Sequence, residues 1–213
     1  MCGIFSLFNI NYNELPLNSI MNAFSKGYRR GPENSSTKHY INSFFGVHRL
    51  AINGLTDTSN QPIEIDNIFL YCNGEIFNYK ELYKLLGITP QTESDCEVII
   101  HLYKKYGIEY TLQLLHGEYA FIILDCRLSN TSLENYIHIA RDPFGVRPLF
   151  TFLVNIPYTP VGFPFGTIGF ASEMKSLIDV KNMYDNSIIS QFKPGCYSTF
   201  TLGNMVNAIW RMT

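Results

Sequence analysis

The sequence predicts an α+β fold built on largely antiparallel sheet. Three observations carry that reading. Apolar, β-rich runs outnumber helical patterns, and most consecutive runs are joined by loops too short for the right-handed crossover of a parallel pair. The third is continuity, because no repeat or low-complexity linker interrupts the chain. At roughly 150 residues per domain the expectation is a single large domain over residues 1–213.

Residues 2–9 (CGIFSLFN) read as a strand that begins almost at the terminus. Leu17, Ile20, Met21 and Phe24 recur at i, i+3, i+4 and i+7, one face of a helix that ends near Arg29-Arg30-Gly31-Pro32. A polar stretch (ENSSTK) follows, then FFGVHRLAI and IFLYCNGEI, two strands separated by a loop containing Asn53-Gly54 and Asn60-Gln61-Pro62. NYKELYKLL is helical and stops at Gly87. SDCEVIIHLYKKYG is a second helix, opened by a Ser94/Glu97 capping box and closed by Gly107. The strands YAFIILD and YIHIAR, the turn DPFGVRP, the strands LFTFL and IGFAS, a short helix EMKSLI and a strand CYSTFTL complete the pass.

Composition excludes several classes. The chain has 46% hydrophobic and 15% aromatic residues, enough to offset the entropy of ordering, so disorder is excluded. A net charge of −2 with no basic block speaks against nucleic acid. No apolar run reaches membrane-span length and no basic residue precedes Lys26, so a soluble, unexported, cytoplasmic protein is expected. Five scattered cysteines without a C-x-x-C pair favour neither a disulfide framework nor a zinc site, and no metal is expected. The five histidines show no ligand spacing and read as core or surface residues. A charged fraction of 16%, low for a soluble domain, hints at surface covered by a partner.

Cys2 is the sharpest position for chemistry. Removal of Met1 would put a thiol and a free α-amine on one residue, a nucleophile beside its own base. The alternative is a small buried residue in a first strand. Asn73-Gly74-Glu75 ends a strand, where a side-chain amide and a glycine N–H could face an oxyanion, although N-G is also a common turn. Asp95 opens a capped helix and would complement its dipole, and Arg49 ends a strand; together they could read the two charged ends of an amino acid. The turn from Arg141 to Phe150 reads as a rigid loop pinned by ion pairs rather than as catalytic.

Taken in order, Met1-Cys2-Gly3-Ile4-Phe5, Arg30-Gly31-Pro32, His48-Arg49-Leu50-Ala51-Ile52, Gln61-Pro62, Asn73-Gly74-Glu75-Ile76-Phe77-Asn78, Ser94-Asp95-Cys96-Glu97-Val98-Ile99, RDPFGVRPLF and Phe170-Ala171-Ser172-Glu173-Met174-Lys175 resemble the glutaminase domain of the N-terminal-nucleophile glutamine amidotransferases. The forms R-G-P, N-G-E-I and F-A-S-E-M-K are most similar to that domain in glutamine-hydrolysing asparagine synthetases. The resemblance implies a four-layer αββα sandwich of two largely antiparallel sheets. It implies Cys2 as nucleophile, Asn73 and the Gly74 N–H as oxyanion hole, Arg30 as support at the catalytic end, and Arg49, Leu50, Ile52, Asn53, Glu75 and Asp95 as the glutamine site. The chain departs from the family at Glu33, where Asp is usual, and at Asn53-Gly54, where Val-Asp is frequent.

The S-G-G-x-D-S phosphate loop of a synthetase domain does not occur in this sequence. The expectation is therefore a glutaminase half-reaction, releasing ammonia through a Cys2 thioester and needing no cofactor, with ATP and Mg confined to an absent synthetase domain. The expected partners are L-glutamine and a synthetase domain in cis or trans, with a homodimer left open. A catalytically silent glutamine-binding or regulatory module of the same fold is the alternative.

Overall fold

The computed structural model describes residues 1–127, 135–155 and 165–202. In chain order the elements are β1 (Gly3–Phe8), α1 (Leu17–Ser25), β2 (Asn34–Tyr40), β3 (Ser43–Arg49), β4 (Ile63–Ile65), β5 (Ile68–Ile76), α2 (Tyr79–Leu86), α3 (Val98–Leu114) and β6 (Gly117–Asp125). There follow β7 (Asn135–Arg141), β8 (Phe150–Asn155), β9 (Phe165–Ala171), α4 (Lys175–Lys181), β10 (Ser187–Gln191) and β11 (Tyr197–Leu202). One sheet has the order β10-β8-β9-β1-β3-β2 and the other β11-β7-β6-β5-β4. Every strand pairing among the described residues is antiparallel.

Side-chain alternation along the central strands builds three apolar layers. On β5 and β6, Phe69, Tyr71, Ala120, Ile122 and Leu124 face Ile4, Phe8, Phe45 and Val47 of the other sheet. The intervening Ile68, Leu70, Phe121 and Ile123 face Leu82 and Tyr83 of α2 and Val98, Ile99, Leu102 and Tyr103 of α3. Phe5, Leu7 and Phe44 in turn face Ile20, Ala23 and Phe24 of α1 and Leu177 and Val180 of α4. The order is helices, sheet, sheet, helices: an αββα sandwich. Both faces of these strands are covered, which is why they read as continuous apolar runs without polar alternation. Phe45 and Tyr71 stack between the sheets with centroids 5.3 Å apart. Full burial of each such side chain contributes on the order of 1.5–3 kcal/mol.

Several elements differ from expectation. The polar stretch after Pro32 is a strand, β2, whose residues alternate between half-buried and exposed along the edge of its sheet. No residue of β2 is fully buried, so no hydrophobic period marks it. β4 and β10 are short edge strands that the sequence did not reveal. The chain after Arg49 leaves the ladder instead of continuing the FFGVHRLAI strand. As expected, the first helical segment of α3 stops at Gly107, whose φ 75° and ψ 174° are non-helical; beyond this kink a second segment, absent from the sequence reading, runs to Leu114, with Thr111 Oγ1 donating to the Gly107 carbonyl at 2.7 Å.

Candidate active site

Cys2 immediately precedes β1, and the pairing of Gly3 with His48 brings the end of β3 alongside it. The Leu50 N–H donates to Cys2 Sγ at 3.4 Å, and Sγ lies 3.5 Å from the Leu50 carbonyl. Arg30 Nε donates to the Cys2 carbonyl at 2.8 Å, while its Nη1 stands 3.9 Å from Glu173 Oε1. Gly31 makes this approach feasible, since a Cβ there would collide with the His48 carbonyl. His48 anchors the end of β3: its ring stacks on Phe24, Nε2 donates to the Phe24 carbonyl at 3.0 Å, and Nδ1 accepts from Ser35 Oγ at 2.7 Å.

Opposite Cys2 lies the open edge of β5. Alternate residues of an antiparallel strand send their backbone groups to opposite neighbours. Ile68 and Leu70 face β4, so Cys72, Gly74 and Ile76 present theirs on the same side, beyond the end of β4. There the Cys72 N–H donates to Gln61 Oε1 at 2.6 Å, and Gln61 Nε2 donates to the Cys72 carbonyl at 2.9 Å. The Ile76 N–H donates to Asp95 Oδ2 at 2.6 Å, and Cys96 Sγ sits 3.7 Å from the Gly74 carbonyl. The Gly74 N–H leaves the strand on this same edge, and a Cβ at Gly74 would meet Tyr119 Cβ at 2.7 Å. Asn73 is 1% exposed, and neither its Nδ2 nor its Oδ1 has a hydrogen-bond partner.

These groups line a small cavity of about 40 Å³ that gathers every expected site residue except Arg30: Cys2, Arg49, Leu50, Ile52, Asn53, Asn73, Gly74, Glu75 and Asp95. Arg30 stands behind the wall and reaches the site through the Cys2 carbonyl. The Arg49 fork is turned into the following loop, with Nη1 on Asn60 Oδ1 at 2.8 Å and Nη2 on the Gly54 carbonyl. Burial pushes the Cys2 thiol pKa up, opposed by the Leu50 N–H. It also pushes the Asp95 carboxyl up, opposed by the Ile76 N–H and the Asn53 side chain. The amine of Met1 is lowered, chiefly by burial, with Arg30 and Arg147 acting in the same direction.

Met1, Ser59, Gln61, Ser94, Cys96 and Arg147 also line the cavity, without having been singled out for chemistry in the sequence. Arg147 carries the turn to the cavity wall: Nη1 contacts Met1 Sδ and Nη2 donates to Glu118 Oε1 at 2.8 Å. The Arg147–Glu118 ion pair pins the turn as expected, and hydrogen bonds of the Asp142 and Arg141 side chains with backbone groups add to it. Asp142 accepts from the N–H groups of Phe144, Val146 and Arg147, and Arg141 donates to the carbonyls of Gly145, Arg147 and Phe192.

The capping box is only half formed, because Ser94 Oγ accepts from the Cys96 N–H whereas the buried Glu97 carboxylate accepts from the N–H groups of Gln91 and Thr92. Glu97 also lies 2.9 Å from His101 Nε2, an i,i+4 pair the sequence reading passed over. Although burial opposes it, these bonds hold the Glu97 pKa down at about 2. Among the described residues no group of three His, Cys, Asp or Glu is placed to hold a metal, and no helix is long and apolar enough to cross a membrane.

A family model described as a glutamine amidotransferase domain matches residues 1–205. The chain is 36% identical over 213 residues to an asparagine synthetase, glutamine-hydrolyzing, of Gallus gallus, and 33% identical over 211 residues to that of Homo sapiens. It is 34% identical over 207 residues to a probable asparagine synthetase, glutamine-hydrolyzing, of Acanthamoeba polyphaga mimivirus. Each match covers 95% of this chain and 34% of the relative, so the chain spans about a third of the length of these relatives.

Proposed function

The chain belongs to the glutamine amidotransferase domain family, and from that premise we propose that it hydrolyses L-glutamine to L-glutamate and ammonia, with Cys2 as nucleophile once Met1 is removed. The carrying observation is the Asn73 carboxamide, buried and unbonded, on the wall of the cavity that holds Cys2 Sγ. A buried amide with no partner is costly by about 1–3 kcal/mol, and an oxyanion formed beside it removes that cost only as the reaction proceeds.

Glutamine enters with its α-amine toward Asp95 and Glu75 and its α-carboxylate toward Arg49. The carboxylate replaces neutral acceptors on the Arg49 fork with a charge-assisted pair, the stronger of the two. Leu50, Ile52 and Asn53 wall the side-chain slot. The α-amine freed on Cys2 takes the thiol proton, and Sγ bonds to the side-chain amide carbon. Asn73 Nδ2 and the Gly74 N–H hold the resulting oxyanion. Collapse breaks the C–N bond, the amine returns its proton to the departing ammonia, and water then cleaves the thioester to glutamate. Arg30 holds the Cys2 carbonyl and so aims the terminal residue. Thiol and amine together supply nucleophile and base, so this half-reaction calls on no cofactor.

By likeness to the relatives, the ammonia serves aspartate amidation by a synthetase domain that uses ATP, in the cytoplasm. The silent-module alternative is not favoured, because Cys2, Asn73, Arg49 and Asp95 meet at one cavity.

The test compares processed protein, a Met1-retained preparation verified by intact mass, and Cys2→Ala, each assayed for ammonia release from glutamine at pH 6 to 9, about the range spanning an α-amine near 7.7–8.0. Only the processed wild type is expected to be active, with kcat/KM rising through the amine ionisation, while Cys2→Ala retains glutamine binding. Equal activity in the Met1-retained form would refute the terminal-amine mechanism.

A further inference from the structure

We propose that Gln61 is a positioning residue for the oxyanion-binding pair Asn73 and Gly74, its carboxamide standing in for a strand that β5 lacks at Cys72; the proposal rests on the glutaminase reading above. The ladder between β4 and β5 pairs Ile65 with Ile68 and Ile63 with Leu70. Its next step would set Gln61 opposite Cys72. β4 ends at Ile63, however, and the Gln61 carbonyl is turned to the other sheet, where it accepts from Ser36 Oγ at 2.6 Å. The side chain occupies the vacated register position instead. It accepts from the Cys72 N–H at 2.6 Å and donates to the Cys72 carbonyl at 2.9 Å, the two bonds that a paired strand residue would make.

The consequence falls on Asn73. Its carboxamide makes no hydrogen bond within the protein, so its place in the cavity depends on the backbone that carries it. That backbone is held by β6 on one side, where Asn73 is opposite Ala120, and on the other by Gln61, one residue before Asn73. Gln61 is 7% exposed and lines the same cavity. An edge released at Cys72 would let Asn73 and Gly74 drift, and a misplacement of about 1 Å can lower the rate about 10²-fold. Both a donor and an acceptor are required. Glutamate lacks the donor for the Cys72 carbonyl, and methionine lacks the donor and offers only a weak sulfur acceptor.

Processed wild type, Gln61→Met and Gln61→Glu are compared in three measurements. In ammonia release, both variants should lose about 10²-fold in kcat with KM for glutamine little changed. In binding, both should lose affinity for L-glutamate γ-semialdehyde, whose Cys2 adduct carries an oxyanion, far more than for glutamine. A purely structural role would weaken the two ligands alike. In amide hydrogen exchange, Cys72 should exchange faster in both variants while Ile122 in the centre of β6 stays protected. Wild-type protection at Cys72 in Gln61→Met, or unchanged kcat beside an active wild type, overturns the proposal alone. A wild type that releases no ammonia overturns the glutaminase reading and the positioning role with it.

Discussion

At one end of the β5–β6 pair, Tyr103 Oη donates to Asp125 Oδ2 at 2.7 Å and accepts from His138 Nε2 at 3.0 Å, while His138 Nδ1 accepts from Thr199 Oγ1 at 2.9 Å. Arg127 completes the cluster with Nη2 on Asp125 at 2.7 Å. Toward the other end, Asn73 keeps a buried carboxamide with neither polar atom bonded. The first cluster turns its buried polar groups on one another, as a network that locks α3, β6, β7 and β11 together. Asn73 holds its capacity in reserve, beside a cavity and a thiol. Other unpaired atoms exist, such as the Tyr71 hydroxyl, but that group does not line the cavity. Buried polarity therefore points to chemistry here where it is both unpaired and open to a cavity.

The sharpest way to break this contrast is Asn73→Ala. Loss of one oxyanion donor should lower kcat for glutamine hydrolysis by about 10² to 10³, or about 2.7–4 kcal/mol, with a smaller change in KM. Thermal stability should hold or rise, because an unsatisfied amide is removed. A large fall in Tm with normal kcat would place Asn73 with the structural polar groups.

A second measurement titrates the satisfied cluster. Burial lowers the His138 pKa from 6.5 to about 4, so the unfolded chain binds a proton that the folded chain excludes between those values. Stability should then be fully present above pH 6.5 and fall as pH drops toward 4, by about 3 kcal/mol from this residue. Denaturant midpoints over that range should show the loss, and His138→Gln should flatten that part of the profile. A His138→Gln profile as steep as wild type would assign the loss to other groups.

The smallest effect is expected for Tyr103→Phe, which removes a hydroxyl shared by Asp125 and His138. Stability should drop by about 1.5–3 kcal/mol, the range for a hydrogen bond to a charged group, while kcat/KM at saturating stability is unchanged. A catalytic defect without a stability defect would erase the distinction between the two ends of the sheet.

Much of this architecture was legible from residue order. Apolar runs such as YAFIILD and the period of Leu17, Ile20, Met21 and Phe24 report local burial, which each residue carries in its own side chain. At the site, residue type singled out Cys2, Arg49, Asn73, Gly74 and Asp95 as candidates, and the family resemblance supplied Leu50, Ile52, Asn53 and Glu75 on the same cavity wall. Edge strands were not legible: β2 and β10 have exposed positions and gain their place from a neighbour's unpaired N–H and C=O groups. Nor was the second helical segment after the Gly107 kink, which Ile108, Leu112 and Leu114 hold against the core.

The same limit applies inside the site. Arg147 belongs to the cavity because a turn closed by Asp142 aims it toward Met1, 146 positions away in sequence. Gln61 meets Cys72 because β4 stops one rung short. Residue type and spacing encode what a side chain can do and which face of its own element it occupies. Which unpaired group it finally meets is set by long-range register, a property of two strands packed together that neither segment contains alone.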